Sequence, residues 1–507
     1  MGVTTSQPGP SLRLYVAFIS KPQWEAGWPF LGYDNEAARE EILMVLKREL
    51  PEVEFVGGTI LTGYNPQLLK RMAGEIRAAD GLVLCLIGHF GDPGLVKAGL
   101  ELLSLGKPAI LASKTYGGDH VFIQLYEQAR RRGFRVLPIA SPRLEDFAKA
   151  VRVLATVLRL RGRRILLVAT DCVEVGEEEL RRLRQLLEPE LKAAKEARRE
   201  FLEKLASMIP SIAVRGFYVD LRGLDQAHQW RRDVEGYMRR LKEVFGVEVV
   251  RIEPEELCDL YEQVGEGEAR DVVEAWTMRA QEVNVPYETL LNSARLYLAL
   301  KRLLREKSCD AVTVDCGTLL LTGRLPAFPC MAFFQLLSEG IPACCESDLD
   351  STITLMLGME LTGKPGFVSN YAVDTVKGRL IYLHCMACSR LAGEELPLAI
   401  EPHGEAHLLG ASPVVRFPEG VPVTTAKVSV LKGKLALRLA TSLGYEEVEE
   451  ACRNKLVVKA NVERILDLSD WETFGWHRVS FLGDYVWEFK AAAKLLGLEV
   501  VEEDLPS

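Results

Sequence analysis

Short apolar runs alternate with helix-length amphipathic stretches through the first two thirds of this chain, and that alternation restricts the fold more than any other feature. Leu12–Ile19 is mostly apolar, residues 36–46 carry helical spacing, and residues 53–56 turn apolar again. The pattern continues with a helix over 66–79, a strand over 81–87, a helix over 95–105, a strand over 108–112 and a helix over 122–132. Strands separated by helices of this length imply a parallel sheet with helices on both faces. This first α/β unit ends near Leu160.

A second alternating set begins at 164–169 and passes a charged helical stretch over 177–207, which Pro189 should kink or break. It resumes with a strand over 211–218, a helix over 226–245 and a strand over 248–252. Several helices follow to Glu306, then a strand over 311–314 and a helix over 331–339. From Pro365 the texture changes, because residues 366–368, 371–373, 379–383, 423–430 and 434–439 alternate or run apolar between Gly and Pro turns, with a late helix over 485–496. A chain of 507 residues is too long for one hydrophobic core and should form about three domains. The expected fold class is α/β: a flavodoxin-like doubly wound domain over 1–162, a second doubly wound domain over 163–355, and a β-rich, barrel-like domain over 356–507.

The net charge of −9 and pI near 5.6 argue against a nucleic-acid surface, which needs clustered Lys and Arg. The charged face of 177–207 reads as a solvated helix laced with i,i+4 pairs. Residues 88–94 follow the third strand but match neither the Walker pattern nor Gly-x-Gly-x-x-Gly, so they carry no nucleotide signal. No apolar run is long enough to span a membrane, and the amino terminus lacks the layout of a signal peptide, so a cytoplasmic location without a membrane partner is expected. Eleven cysteines without an export signal favour thiols over disulfides. Cys385 and Cys388 have the gap of a zinc pair, but a structural zinc site normally shows two such pairs. Adjacent Cys344 and Cys345 should point to opposite faces of a strand and are poorly placed to supply the second.

The chemistry concentrates between Pro329 and Cys385. Glu346 follows the apolar run Ile341–Cys345, so its side chain should emerge at a strand end, where α/β proteins place their chemistry. Asp374 and His384 come next, and carboxylates with imidazole form an oxygen and nitrogen set suited to a hard or borderline divalent metal. Each residue also has a plainer account taken alone. Glu346 can be a helix N-terminal acid beside a Ser347 or Asp348 cap, Asp374 a turn residue before Lys377-Gly378, and His384 a satisfied core histidine.

Four patterns occur in a definite order: Cys330 with Glu339-Gly-Ile-Pro-Ala-Cys-Cys-Glu346, Val373-Asp374, His384-Cys385, and Gly475-Trp-His477-Arg-Val-Ser-Phe-Leu-Gly483-Asp484. With the lead-in from Tyr297 to Cys316, they resemble the L-fucose isomerase and L-arabinose isomerase superfamily, most closely its L-fucose isomerase-like branch. The resemblance covers about residues 160–505 well and the first domain in outline. It implies an aldose–ketose isomerase that uses a divalent metal, usually Mn2+, through an enediol, with a sugar substrate and a trimeric or hexameric homo-oligomer. Position by position, Glu346 and Asp374 match the two carboxylates that bind metal and handle protons. His477 matches the late imidazole ligand, and His384 a second ligand of the arabinose branch. His403 and His407 fall in a loop expected to contact sugar hydroxyls.

Two departures stand out. Relatives often carry a second histidine where this chain has Arg478, and glycine after His-Cys where it has Met386. A catalytically inactive sugar-binding or regulatory protein on the same scaffold is therefore the alternative from another class.

Overall fold

The computed structural model describes residues 12–89, 93–170, 233–321, 324–404, 410–448 and 451–505. The charged helix over 177–207, the strand over 211–218, the start of the helix over 226–245 and His407 lie outside these residues. The described chain falls into two compact units, one comprising residues up to Arg161 with Trp487–Glu499, the other Gly162–Val486 with the stretch from Val500 onward.

In the first unit the strands are β1 (Leu12–Ile19), β2 (Val53–Leu61), β3 (Gly81–Leu86), β4 (Ala109–Lys114) and β5 (Val136–Ser141). They pair in parallel in the order β2-β1-β3-β4-β5, the flavodoxin-like doubly wound arrangement. All six residues of β3 are buried, which is why it reads as a continuous apolar run instead of an alternating one. Side-chain caps set the helix starts: Asp34 accepts from the Glu36 and Ala37 amides, and Asn65 accepts from Leu68 with Pro66 opening the next helix. The helix Val486–Leu496 belongs mostly to this unit, where Lys149 and Glu488 pair at 2.8 Å.

The second unit holds β6 (Arg164–Val168), β7 (Glu248–Ile252), the short β8 (Glu282–Val283), β9 (Ala311–Val314) and β10 (Ala343–Cys345). β10, β9, β6 and β7 form a parallel sheet in that order. Asp348 caps the next helix, Leu349–Thr362, by accepting from the Ser351 amide, and Gly363 ends it in the left-handed region.

The remaining strands are β11 (Phe367–Asp374), β12 (Arg379–His384), β13 (Leu398–Glu401), β14 (Ser412–Val415), β15 (Glu419–Ser429), β16 (Lys434–Tyr445), β17 (Asn454–Lys459), β18 (Arg478–Leu482) and β19 (Glu499–Asp504). β15-β18-β11-β12-β17-β16 are joined in sequence, and β16 pairs back to β15, so the six strands close into an antiparallel ring with β19 alongside β16. Closure leaves those six strands without a free edge. The helix Leu349–Thr362 lies directly on this ring: a Cβ at Gly358 would overlap the Phe481 ring of β18. That close approach, available only to glycine, locks the segment after Glu346 to the strand after His477.

Candidate metal centre and its cleft

Glu346 follows β10 directly and, with Ser347, adopts a left-handed backbone (φ 60° and 54°). Non-glycine residues hold that conformation at a cost of order 1–3 kcal/mol each, so the surroundings must enforce it. The turn carries the Glu346 side chain to two histidines from the ring. His384 ends β12, His477 immediately precedes β18, and both are buried. Glu346 Oε1 lies 3.8 Å from His384 Nε2, and Oε2 lies 3.5 Å from His477 Nε2. These ligand atoms all fall within 4.8 Å of one another. Ligands at about 2.1 Å from one ion stand about 3.0–3.5 Å apart, so slight inward rotation would bring all three onto a single cation.

The tautomer of His477 strengthens this fit. Its Nδ1 donates to Asp348 Oδ2 at 2.9 Å, which leaves the Nε2 lone pair aimed at Glu346. That buried Nε2 makes no hydrogen bond among the described residues. An acceptor nitrogen kept out of water without a donor is costly, and a cation between it and Glu346 would relieve that cost. Asp348 is itself fixed: Oδ2 accepts from Lys427 Nζ at 2.6 Å and Ser351 Oγ at 2.7 Å, and Oδ1 accepts from the Ser351 amide at 2.8 Å. One carboxylate thus caps the helix, neutralises a buried lysine and orients a histidine.

Glu346 opens onto a cleft of about 590 Å³ lined also by Asn370, Tyr371, Ala372, Val373, Leu466, Trp471 and Trp476. This volume is in the usual range for small-molecule sites. Trp471 and Trp476 meet edge to face at 5.6 Å, and Tyr371 is backed by the Arg438 guanidinium at 4.6 Å. Aromatic faces of this kind cover the C–H faces of a sugar, while the Asn370 amide can donate to and accept from its hydroxyls.

Asp374 is not brought to this group. In β11, Asn370 sits opposite Leu383, beside His384, whereas Asp374 sits opposite Arg379 at the far end of the hairpin. Four residues along a strand separate the two positions by about 13 Å. The Asp374 carboxylate accepts from the Lys377 amide at 2.9 Å and from Arg379 Nε at 3.0 Å. These bonds, the turn amide first, hold its carboxyl below the usual carboxylate value. It is a turn residue tied to its own hairpin. His384, ranked behind it on sequence, stands in the group instead.

His403 does not line the cleft either. It is buried with its ring 5.2 Å from that of Phe328, and its ligand nitrogen is grouped with the sulfurs of Cys330 and Cys385. Arg478, in place of a second histidine, turns inward: Arg478 Nη2 and Arg438 Nε clamp the buried Glu503 at 3.0 and 2.8 Å. It serves the ring's interior and leaves His477 as the imidazole of that segment. Three contributors escaped the sequence reading: Asp348 beyond its cap, Lys427 and the tryptophan pair. Lys427 left a textual trace, as the one charged residue in the run Val423–Val430, and Trp476 stands inside the Gly475–Asp484 pattern.

No family model matches the chain. Among curated proteins, it is 24% identical over 279 residues to a sulfoquinovose isomerase of Clostridium sp. (strain MSTE9), covering 51% of this chain and 59% of that protein. It is 25% identical over 149 residues to the sulfoquinovose isomerases of Priestia aryabhattai and Priestia megaterium, covering 29% of this chain and 33% of each. The chain is distantly similar to sugar isomerases. It spans between a third and about three fifths of the length of these relatives. No described helix is long and apolar enough to cross a membrane.

Proposed function

We propose that the chain is a metal-dependent aldose–ketose isomerase of the L-fucose/L-arabinose isomerase type, with Glu346, His384 and His477 as metal ligands and Glu346 as the acid–base group. The observation that carries this reading is the buried Nε2 of His477, oriented by Asp348 and aimed across Glu346 beside His384. A divalent cation bound there, Mn2+ being the proposed one, supplies positive charge against the oxygens of an enediolate.

The chain's own residues account for the rest. Glu346 faces the cleft and is the only carboxylate of the metal group, so a single base on one face of the sugar can take the proton from C2 and return it to C1. The two-carboxylate arrangement with Asp374 is thereby reduced to one. The Trp471, Trp476 and Tyr371 rings hold the open chain and keep water from its apolar face, and Asn370 reads a hydroxyl. No Lys or Arg lines the cleft among the described residues, so the favoured substrate is an uncharged deoxyhexose or pentose. A homo-oligomer, trimeric or hexameric, is part of the same proposal.

The test is ketose formation by chelator-stripped protein, with and without Mn2+, on neutral deoxyhexoses, pentoses and a sulfonated aldose. The reading requires conversion that Mn2+ restores and Glu346→Gln abolishes. Sugar binding without conversion of any aldose would instead make the chain a sugar-binding protein. Conversion of the sulfonated aldose alone would overturn the substrate assignment.

A further inference from the structure

Behind the isomerase centre, and not facing the cleft, lies a second set of metal-ligating side chains. Cys330 opens the helix Cys330–Ser338, Cys345 ends β10, Cys385 follows β12 and His403 follows β13. All four are buried, at 2%, 1%, 7% and 6% exposure. The ligand atoms of Cys330, Cys385 and His403 lie within 4.8 Å of one another, as do those of Cys345, His384 and Cys385. Cys385 is the common member of the two groups. None of the ten described cysteines forms a disulfide.

We propose that Cys330, Cys385 and His403, with Cys345 beside Cys385, form a second metal site that takes a zinc-class divalent ion. The chemistry of the donors separates it from the first site. Two or three sulfurs and an imidazole select a thiophilic ion with tetrahedral preference, whereas Glu346 with two imidazoles suits a harder one. Tetrahedral zinc with sulfur ligands at about 2.3 Å sets neighbouring sulfurs about 3.8 Å apart, within the observed spread. An imidazole beside the thiols is a metal ligand and takes no part in a disulfide, so the donor set favours metal over oxidation. Binding releases a proton from each coordinating thiol to solvent, and no redox step is involved.

The site also touches the isomerase centre. Cys385 Sγ lies 3.4 Å from His384 Nδ1, on the opposite side of the ring from Glu346. An ion held by Cys385 fixes the residue that backs His384, so the second site is a structural support for the first. It stands independently of the isomerase reading, since its ligands and its test do not involve sugar.

The experiment uses the full chain, stripped of metal under reducing conditions and titrated with Co2+. The expected result is intense near-ultraviolet thiolate-to-cobalt absorption saturating at an equimolar ratio and displaced by Zn2+. Glu346→Gln and Cys85→Ser should leave the bands intact, because neither residue belongs to the site. Cys330→Ser should abolish them, and His403→Gln should weaken Co2+ binding about tenfold or more while keeping the sulfur bands. Circular dichroism of each variant establishes that it is folded, and His403→Gln retains every thiol should Cys330→Ser fail to fold. Absence of thiolate bands in the wild-type protein overturns the proposal. So does their persistence in folded Cys330→Ser, or a Cys330–Cys385 disulfide in protein isolated without oxidant.

Discussion

Replacing Asp348 by Asn separates two of the three tasks that this buried carboxylate performs. Asp348 Oδ2 accepts from Lys427 Nζ, His477 Nδ1 and Ser351 Oγ, while Oδ1 accepts from the Ser351 amide. An asparagine has one oxygen. Turned to keep the helix cap, it presents its NH2 to the Lys427 ammonium and the His477 N–H, donor against donor; turned the other way, it loses the cap. Removing one partner of a buried ion pair costs about 3–5 kcal/mol. Asp350 sits close enough to feel Lys427, with its carboxyl pushed up to about 6 by burial. It can take over part of the neutralisation, so we expect the lower end, about 3 kcal/mol. The second effect falls on His477, whose Nε2 is no longer held towards Glu346, and metal affinity should fall about 10–100-fold. The assay pairs chemical denaturation with Mn2+ titration by calorimetry. Adding Lys427→Met to Asp348→Asn should recover part of the stability, because the lysine charge is then no longer buried alone, but none of the metal affinity. If Asp348→Asn binds Mn2+ within about twofold of wild type, the proposed role of Asp348 in orienting His477 is wrong.

Other substitutions probe the rest of the site and fold. Glu346→Gln should lower isomerisation by about 10²–10⁴-fold, measured as ketose formed under saturating Mn2+, since it removes the acid–base group. Asp374→Asn should change turnover by less than about twofold under the same conditions, because its carboxylate serves the β11–β12 turn; a loss comparable to that of Glu346→Gln would restore it to the site. Gly358→Ala should destabilise the second unit, seen as a lower denaturation midpoint, by driving a methyl group into the Phe481 ring. Burial opposes the charge on Glu503, but Arg478 and Arg438 outweigh it and hold this carboxyl below its ordinary value. Its contribution to stability is therefore complete above the unfolded carboxylate value and lost as pH falls through the lower folded one. Glu503→Gln should flatten that acid limb in a pH series of denaturation curves.

The fold class was legible because buried parallel strands leave unbroken apolar text. Residues 81–86 and 164–168 could be read directly for that reason, and the two helices ahead of residue 81 carried their own caps at Asp34 and Asn65. The closed ring was legible only as a β-rich texture, since the return pairing of β16 to β15 depends on register and not on composition. In the site, Glu346 could be placed because it ends an apolar run. Asp374 misled because a carboxylate accepting from a turn amide and one waiting for a metal have the same local sequence. The Asp348–His477 contact joins residues far apart in the chain through the packing of Gly358 on Phe481, and no local pattern encodes it. The thiol cluster escaped for a similar reason: its members come from four separate elements, while the Cys385–Cys388 pair drew attention by spacing alone. Cys388 turns away to Ser338, and Cys344 to the opposite face of β10, towards Asp348.

The measurement that bears most directly on the central claim is an anomalous diffraction map from crystals of the protein soaked in Mn2+. The account predicts one manganese peak within about 2.0–2.6 Å of a Glu346 carboxylate oxygen, His384 Nε2 and His477 Nε2, with Asp374 still bonded to Arg379. A manganese peak on Asp374, or none between Glu346 and His477 at saturating metal, would contradict it.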